Sequence, residues 1–448
     1  MLCQGDANLV KRDPGLPGLA TILDPEAFIE TLQMLYPDAG VTGAEPNYVR
    51  YKPATSCLVG YRVRCAAGTV DVYARAHESS GAKIEKAGRH ESAASALGGG
   101  VKVLTDRAVA VYPFPNDHEL RMLPRLQGAG SRRDMLREML PDRPDLSDAP
   151  LETLRYKPER RYVARLGAPG APGAAGAPGA VLKLYTREEF GITGHNAGRF
   201  VSEPPLRVPR GLARSKSHRA SVVEWIAGVP LREAIVRSEV PESSFRAIGA
   251  ALAKLHAQKP NRLRRFSTAE GFAQTLVDGA DALADIVPEL GSRAQRLARR
   301  IGEKLASRHW RARRAIHGDF SADQVVLQDD PPGAGGPDSG GIAIVDFDRA
   351  GKGEPRLDLG MFRARMEYDV ILGVLAPEKV SAYCEPMLDE YRRASEKDIT
   401  RKLDRFTGAC LLLVALEPFR HRLPEWPEKI EMILCAAERI FEGQAVAS

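Results

Sequence analysis

Cysteine is scarce in this chain. Six residues among 448, scattered from Cys3 to Cys435, form no C-x-x-C pair. That excludes a disulfide framework and a cysteine zinc site, and the six read as buried, reduced thiols. Long apolar runs are absent too. The longest, Ala409 to Leu416, has eight residues, against the roughly 20 that a membrane-spanning helix needs. The first 25 residues hold Lys11, Arg12 and several prolines but no apolar stretch. They do not read as a secretory signal, so the chain is expected to be cytoplasmic. Neither sign of charge dominates: 64 Lys and Arg oppose 58 Asp and Glu, a net +6. The Arg clusters at 296–300 and 311–314 sit among helix formers and read as solvated helix faces. No zinc-finger, RNP-type or helix-turn-helix signature accompanies them, so neither nucleic acid nor membrane is an expected partner.

What is present is enough apolar residue, 44 %, for about two to four domains. A short repeat organises the first half. Tyr48 to Pro53 reads YVRYKP and Thr153 to Pro158 reads TLRYKP. Each copy runs into stretches that alternate with period 2, CLVGYRV and TVDVYARA after the first, RYVARL and AVLKLY after the second. Such alternation predicts antiparallel strands, so two similar β-rich units are expected at about 45–125 and 150–230. Two Gly/Pro-rich runs, at 167–180 and 329–341, read as a flexible insertion and a turn between strands. From Glu242 the period changes. Phe245, Ile248, Leu252 and Leu255 share one helical face, and helices are expected at 268–309, 360–373, 377–394 and 396–442, around a β-containing island at 315–349.

The island carries the chemistry. It reads AIHGDFSADQVVL and, after the loop, IAIVDFDRAGKGEPRLDLG. Asp319 follows a glycine in a loop entering a strand, and Asp346 ends an apolar strand. Two carboxylates and the Gln324 amide around one hairpin suit a hard cation such as Mg²⁺ and a hydroxyl proton. An aspartate that merely caps a turn is the plainer alternative.

These residues resemble the catalytic core of the aminoglycoside phosphotransferase family, within the protein-kinase-like fold that includes choline kinases and maltokinases. H-G-D-x-x-x-x-N matches His317, Gly318, Asp319 and, with Gln for Asn, Gln324. I-D-x-x-x-x-x-x-G-x-P-x-x-D-L matches Val345-Asp346, Gly353, Pro355, Asp358 and Leu359. The resemblance covers about residues 150–448. It implies ATP and Mg²⁺ as cofactors, Asp319 as the group that accepts the acceptor's proton, and Asp346 and Gln324 as metal ligands with Asp348 adding a carboxylate. It implies Lys183 as the phosphate-binding lysine and the backbone near Glu224 and Ile226 as an adenine-binding hinge. Lys157 and Arg160 would grip the triphosphate, since no G-x-G-x-x-G occurs. The usual helix glutamate partner of that lysine is not evident, and His317 and Asp358 would brace the loop.

The expected fold is therefore α+β and bilobal. Residues 1–145 form an amino-terminal cap or degenerate small-lobe-like domain, 146–229 the small lobe and 230–448 a helical large lobe with the catalytic hairpin. Two functions follow from different classes. One is a phosphotransferase acting on a hydroxyl of a small molecule, sugar-like or aminoglycoside-like. The other is a pseudokinase-like binding module, or a peptide Ser/Thr kinase, engaging a peptide or protein through the amino-terminal domain. Glu367, Asp369, Asp389 and Glu390 on the carboxy-terminal helices could receive a cationic acceptor, and acidic exposed helices are the plainer reading.

Overall fold

The computed structural model describes residues 2–78, 82–88, 92–167, 179–193, 196, 198–237, 239–259, 263–306, 310, 314–328, 341–395 and 400–443. Most of the two Gly/Pro-rich runs, and part of the Arg cluster at 311–314, lie outside these residues.

Three helices, α1 (Gln4–Arg12), α2 (Leu19–Leu23) and α3 (Pro25–Leu35), precede an antiparallel sheet of β1 (Gly43–Lys52), β2 (Ser56–Cys65), β3 (Gly68–His77), β4 (Lys102–Leu104) and β5 (Val109–Pro113). Its strand order is β1-β2-β3-β5-β4. Helices α2 and α3 bury Leu19, Ile22, Phe28 and Leu32 with one face of the sheet, and α4 (Ala82–Gly88) covers the other through Ile84 and Ala87.

The arrangement then repeats. Helices α5 (Leu123–Gln127), α6 (Ala129–Met139) and α7 (Pro144–Ser147) precede β6 (Leu151–Lys157), β7 (Arg161–Leu166), β8 (Ala180–Tyr185), the short β9 (Leu206–Arg207), β10 (Gly211–Ser215) and β11 (Ala220–Glu224). The second sheet runs β6-β7-β8-β11-β10, the order of the first. In β7 every second residue is buried, the mark of a strand with one covered face. Tyr162, Ala164 and Leu166 meet Leu123, Leu126, Leu136 and Met139 there. Helices α5 and α6 precede residue 145, yet their apolar faces are buried on the second sheet.

The correspondence extends to single residues. The first hairpins close at Lys52↔Ser56 and Lys157↔Arg161. Their turns place Ala54 and Glu159 at φ of +53° and +54°, and the fourth-to-fifth strand hairpins place Ala108 and Arg219 at +49° and +50°. Buried Asp13 accepts hydrogen bonds from the Tyr51 hydroxyl (2.7 Å) and the Ala54 N–H (2.9 Å). Buried Asp117 accepts them from the Tyr156 hydroxyl (2.7 Å) and the Glu159 N–H (2.8 Å). In both copies the Tyr and Pro of R-Y-K-P thus serve a turn pinned by an aspartate, Asp13 just before α2 or Asp117 just before α5.

The remainder is mainly helical. Short β12 (Val229–Pro230) leads to α9 (Leu231–Arg237) and α10 (Glu242–Ala257), where Phe245, Ile248, Leu252 and Leu255 are all buried as their spacing predicts. The stretch expected as one helix over 268–309 is two, α11 (Ala269–Ile286) and α12 (Pro288–Ala306). Pro288 has no N–H to continue the first and instead starts the second. Then come the island strands β13 (Arg314–Ile316), β14 (Val325–Leu327), β15 (Ile342–Ile344) and β16 (Gly351–Gly353), followed by α13 (Arg356–Ile371) and α14 (Pro377–Ala394). The last expected helix is divided into α15 (Leu403–Val414), α16 (Glu417–Arg420) and α17 (Trp426–Glu442). No helix of the described residues is long and apolar enough to cross a membrane. A buried Asp6–Arg422 ion pair (2.5 Å) ties the amino-terminal helices to the carboxy-terminal ones. The fold is α+β and bilobal, with an extra amino-terminal α+β domain.

Candidate active site

The loop between β13 and β14 is built around one buried carboxylate. Asp358, 1 % exposed, accepts from the N–H of His317 (2.6 Å) and of Gly318 (2.8 Å) and contacts His256 Nε2 at 3.0 Å. The other nitrogen of His256 lies 2.8 Å from the Tyr391 hydroxyl. His317 Nε2 reaches the Val345 carbonyl (2.8 Å), tying the loop to the far strand of the hairpin. Gly318 has φ +80°, and a Cβ there would sit 2.5 Å from the Arg349 carbonyl oxygen, so glycine is required. The loop therefore delivers Asp319 on a braced backbone. Its carboxylate is partly exposed, with Arg349 Nε at 3.9 Å.

Across the hairpin, Asp346 adopts φ +60°, a left-handed conformation costly for a residue with a Cβ and frequent at functional sites. Pairing of Val325 with Ile344 and a bond from the Val345 N–H to the Gln324 carbonyl (2.9 Å) place Gln324 opposite the residue before Asp346.

Four ionised groups meet where β7 and β8 face this turn. Lys183 Nζ lies 2.5 Å from Asp346 Oδ1 and 3.0 Å from Asp348 Oδ1. Arg161 pairs with Asp348 and approaches Asp346 at 3.6 Å. The Tyr185 hydroxyl donates to Asp348 Oδ1 (3.1 Å). Burial by itself would raise the Asp346 carboxyl, but Lys183 and then Arg161 outweigh it and hold it well below the usual carboxylate range. Burial would likewise discharge Lys183, and the two carboxylates reverse that, holding it firmly protonated. The lysine's carboxylate partners are thus Asp346 and Asp348. Glu189, on α8 (Arg187–Thr193), pairs instead with Arg160 at 3.3 Å. Arg161 and Tyr185 escaped the sequence reading, although both belong to the strands that flank Lys183.

The other expected residues lie as follows. Glu224 ends β11, and its carboxylate holds Arg207 (2.7 Å) and Arg210 (3.3 Å). Ile226 is buried against Val326 and Ala343 of the hairpin. Lys157 and Arg160 flank the β6–β7 turn, whose tip points away to the amino-terminal domain. There buried Glu159 is gripped by Arg75 (2.8 Å) and by Arg50. Arg75 stands opposite Leu58 as Lys183 stands opposite Val163, the same register position of the two sheets. Each sheet therefore places a cation at this position of its third strand to hold carboxylates from elsewhere, helped by a second cation, Arg50 or Arg161, from another of its strands.

Beside Asp348 opens a cavity of about 1270 Å³, bordered by the β1 end, the β6–β7 turn, α8, residues 264–266, 348–350 and α16. That exceeds the roughly 300–1,000 Å³ usual for small-molecule sites. Of the four acidic residues that could receive a cationic acceptor, none lines it: Asp369 is buried on Arg232 (2.8 Å), while Asp389 and Glu390 pair with Arg392 and Arg393 on α14.

A model of the phosphotransferase enzyme family matches residues 152–396, more than half of the chain. The chain belongs to this family. Among solved structures, the phosphotransferase is similar to a choline/ethanolamine kinase family protein from Mesorhizobium loti, at 19 % identity over 69 % of this chain and 93 % of that one, with a TM-score of 0.44. It is similar to an aminoglycoside phosphotransferase from Streptomyces rimosus (18 % identity, 60 % and 95 % covered, TM-score 0.41) and to Plasmodium vivax ethanolamine kinase (13 %, 74 % and 92 %, 0.46). No curated protein matches the chain.

Proposed function

We propose that this phosphotransferase moves the γ-phosphoryl group of ATP to a hydroxyl of a sugar-like small molecule. The observation that carries the reading is the meeting of Lys183, Arg161, Asp346 and Asp348 beside the loop that presents Asp319. Phosphoryl transfer needs mainly positioning and charge neutralisation. Lys183 and Arg161 would hold phosphate oxygens, and the turn with Lys157 and Arg160 would lie over the triphosphate. Backbone groups near Glu224 and Ile226 would receive adenine. Asp319 would orient the acceptor hydroxyl and take its proton. The hydroxyl oxygen bonds to the γ-phosphorus, the bond from that phosphorus to the β,γ-bridging oxygen breaks, and ADP leaves with the bridging oxygen. The donor set of two carboxylates and one amide fits a hard cation. Asp346 and Gln324, with Asp348, would hold Mg²⁺, which supplies charge neutralisation to the nucleotide.

We divide the chain as expected into an amino-terminal domain, a small lobe and a large lobe with the boundary near 229. The repeated Asp-Tyr-turn arrangement favours starting the small lobe near Asp117 rather than 146. A second reading, a binding module without turnover, is favoured by one observation: Lys183 and Arg161 already occupy both carboxylates a metal would need.

A thermal-shift titration with ATP, with and without Mg²⁺, tests the proposal on wild type and Asp346→Ala. A ligand binding only the folded state stabilises by about 2.7 kcal/mol at 100 times its Kd. A metal-dependent shift that Asp346→Ala abolishes supports the nucleotide site. No shift with MgATP overturns it. Binding without transfer to any acceptor selects the second reading.

A further inference from the structure

The cavity beside Asp348 is lined by ten Lys and Arg against seven Asp and Glu. Most of those carboxylates are already engaged. Glu159 is held by Arg50 and Arg75, Glu189 by Arg160, Asp348 by Lys183 and Arg161, and Glu417 by Arg365. The cations are not matched in the same way. Among the described residues, Lys157 on the β6–β7 turn and Arg420 on α16 form no ion pair, nor do Arg264 and Arg265 on the facing loop. Arg349 also lines the cavity and makes a long ion pair, 3.9 Å, with the Asp319 carboxylate. Burial, then Arg155 and Arg161, lower Lys157 to about 8, and burial lowers Arg420 as well. In both, burial outweighs the opposing pull of Glu417, a carboxylate already held by Arg365. A cleft with an excess of one sign of charge concentrates the opposite sign, and guanidinium groups pair with carboxylate or phosphate oxygens in fixed geometry.

We infer that the acceptor carries an anionic group, a phosphate or a carboxylate, which Arg420, Arg349 and the facing Arg264–Arg265 pair bind while its hydroxyl is presented to Asp319. This rests on the phosphotransferase reading above. The transfer step is unchanged: the acceptor oxygen gains the phosphoryl group, Asp319 gains the proton and ADP leaves.

Calorimetric titration of the full chain tests it, with Mg²⁺ and a non-hydrolysable ATP analogue at saturation so that the nucleotide's own phosphate contacts are filled. The probes are glucose 6-phosphate, glucuronate, glucose and glucosamine, which share a ring and differ in charge. At least one anionic probe should bind about tenfold or more tightly than glucose, with glucosamine weakest, as charge-assisted bonds predict. Which anionic probe leads identifies phosphate or carboxylate. Arg420→Gln and, on a separate element, Arg265→Gln should each remove most of that preference, and Arg420→Lys should retain part of it. Equal affinity across the four probes, tightest binding of glucosamine, or a preference that survives both Gln variants overturns the inference and leaves the nucleotide reading standing. Failure of the ATP analogue to bind overturns the phosphotransferase reading itself, and this inference with it.

Discussion

Asp358→Asn isolates what holds the Asp319 loop. The carboxylate is 1 % exposed and receives two backbone N–H groups and a histidine nitrogen, at 2.6, 2.8 and 3.0 Å. Asn preserves the volume but turns one acceptor oxygen into a donor NH₂. If the NH₂ faces Gly318, that N–H meets hydrogens instead of an oxygen. If it faces His317 and His256, the His317 N–H is stranded. Hydrogen bonds to a charged group are worth about 1.5–3 kcal/mol, and a stranded buried donor costs about 1–3. Losing at least one of the first and adding one of the second, with incomplete additivity, gives about 3–5 kcal/mol. That is a large part of a whole domain's roughly 5–15 kcal/mol, concentrated on one loop. Hydrogen exchange over residues 314–320 should accelerate by about two orders of magnitude or more, at 1.4 kcal/mol per decade. The rate of phosphoryl transfer should fall while ATP affinity, set by other residues, changes little. Asp389→Asn, on a half-exposed helix face, serves as the control and should alter neither. Wild-type protection of 314–320 in Asp358→Asn would refute the claim that this carboxylate braces the loop.

Other perturbations give separate checks. Glu159→Gln removes the countercharge of Arg50 and Arg75, whose side chains are 28 % and 25 % exposed. Solvent screening reduces the cost below that of a fully buried pair, to about 2 kcal/mol. Exchange of the 157–160 turn should quicken about tenfold or more, and unchanged protection would show that the amino-terminal sheet does not hold it. Lys157, lowered to about 8 by burial and by Arg155 and Arg161 with Arg160 nearby and Glu417 opposing, is charged below that pH and neutral above it. Anion affinity should therefore decline between about pH 7 and 9, and Lys157→Arg should flatten the profile. Gly249→Ala would place a Cβ 2.1 Å from the Met387 carbonyl oxygen on α14. Forcing the α10–α14 contact apart should cost about 1–3 kcal/mol, read as a lowered melting temperature.

The amino-terminal domain has a physical role that neither sheet reveals alone. Its Arg75 sits where Lys183 sits in the second sheet, and the carboxylate it holds, Glu159, tips the very turn that borders the candidate triphosphate site. Without a glycine-rich loop to fold over a nucleotide, the turn is held from outside.

Features legible in the sequence were local. Period-2 alternation and helical spacing report which face of an element is covered, so the strands, and α10 with its four buried residues, were readable. His317 to Asp319, Gln324 and Asp346 lie on one hairpin, and chain connectivity alone brings them close. The R-Y-K-P repeat was visible because its Tyr and Pro act within one turn. The extent of the duplication was not, since Asp13 and Asp117 reach their tyrosines across 38 and 39 residues. Lys183 meets Asp348 across 165 residues and Glu159 meets Arg75 across 84. A one-dimensional pattern carries no signal for such pairs, because charge and burial select a partner by where packing leaves a cation facing a carboxylate, not by spacing along the chain. The sequence by itself determined the hairpin that bears the chemistry. Only packing of the two sheets against the helices decided which charges it answers to, and which remain free to meet an acceptor.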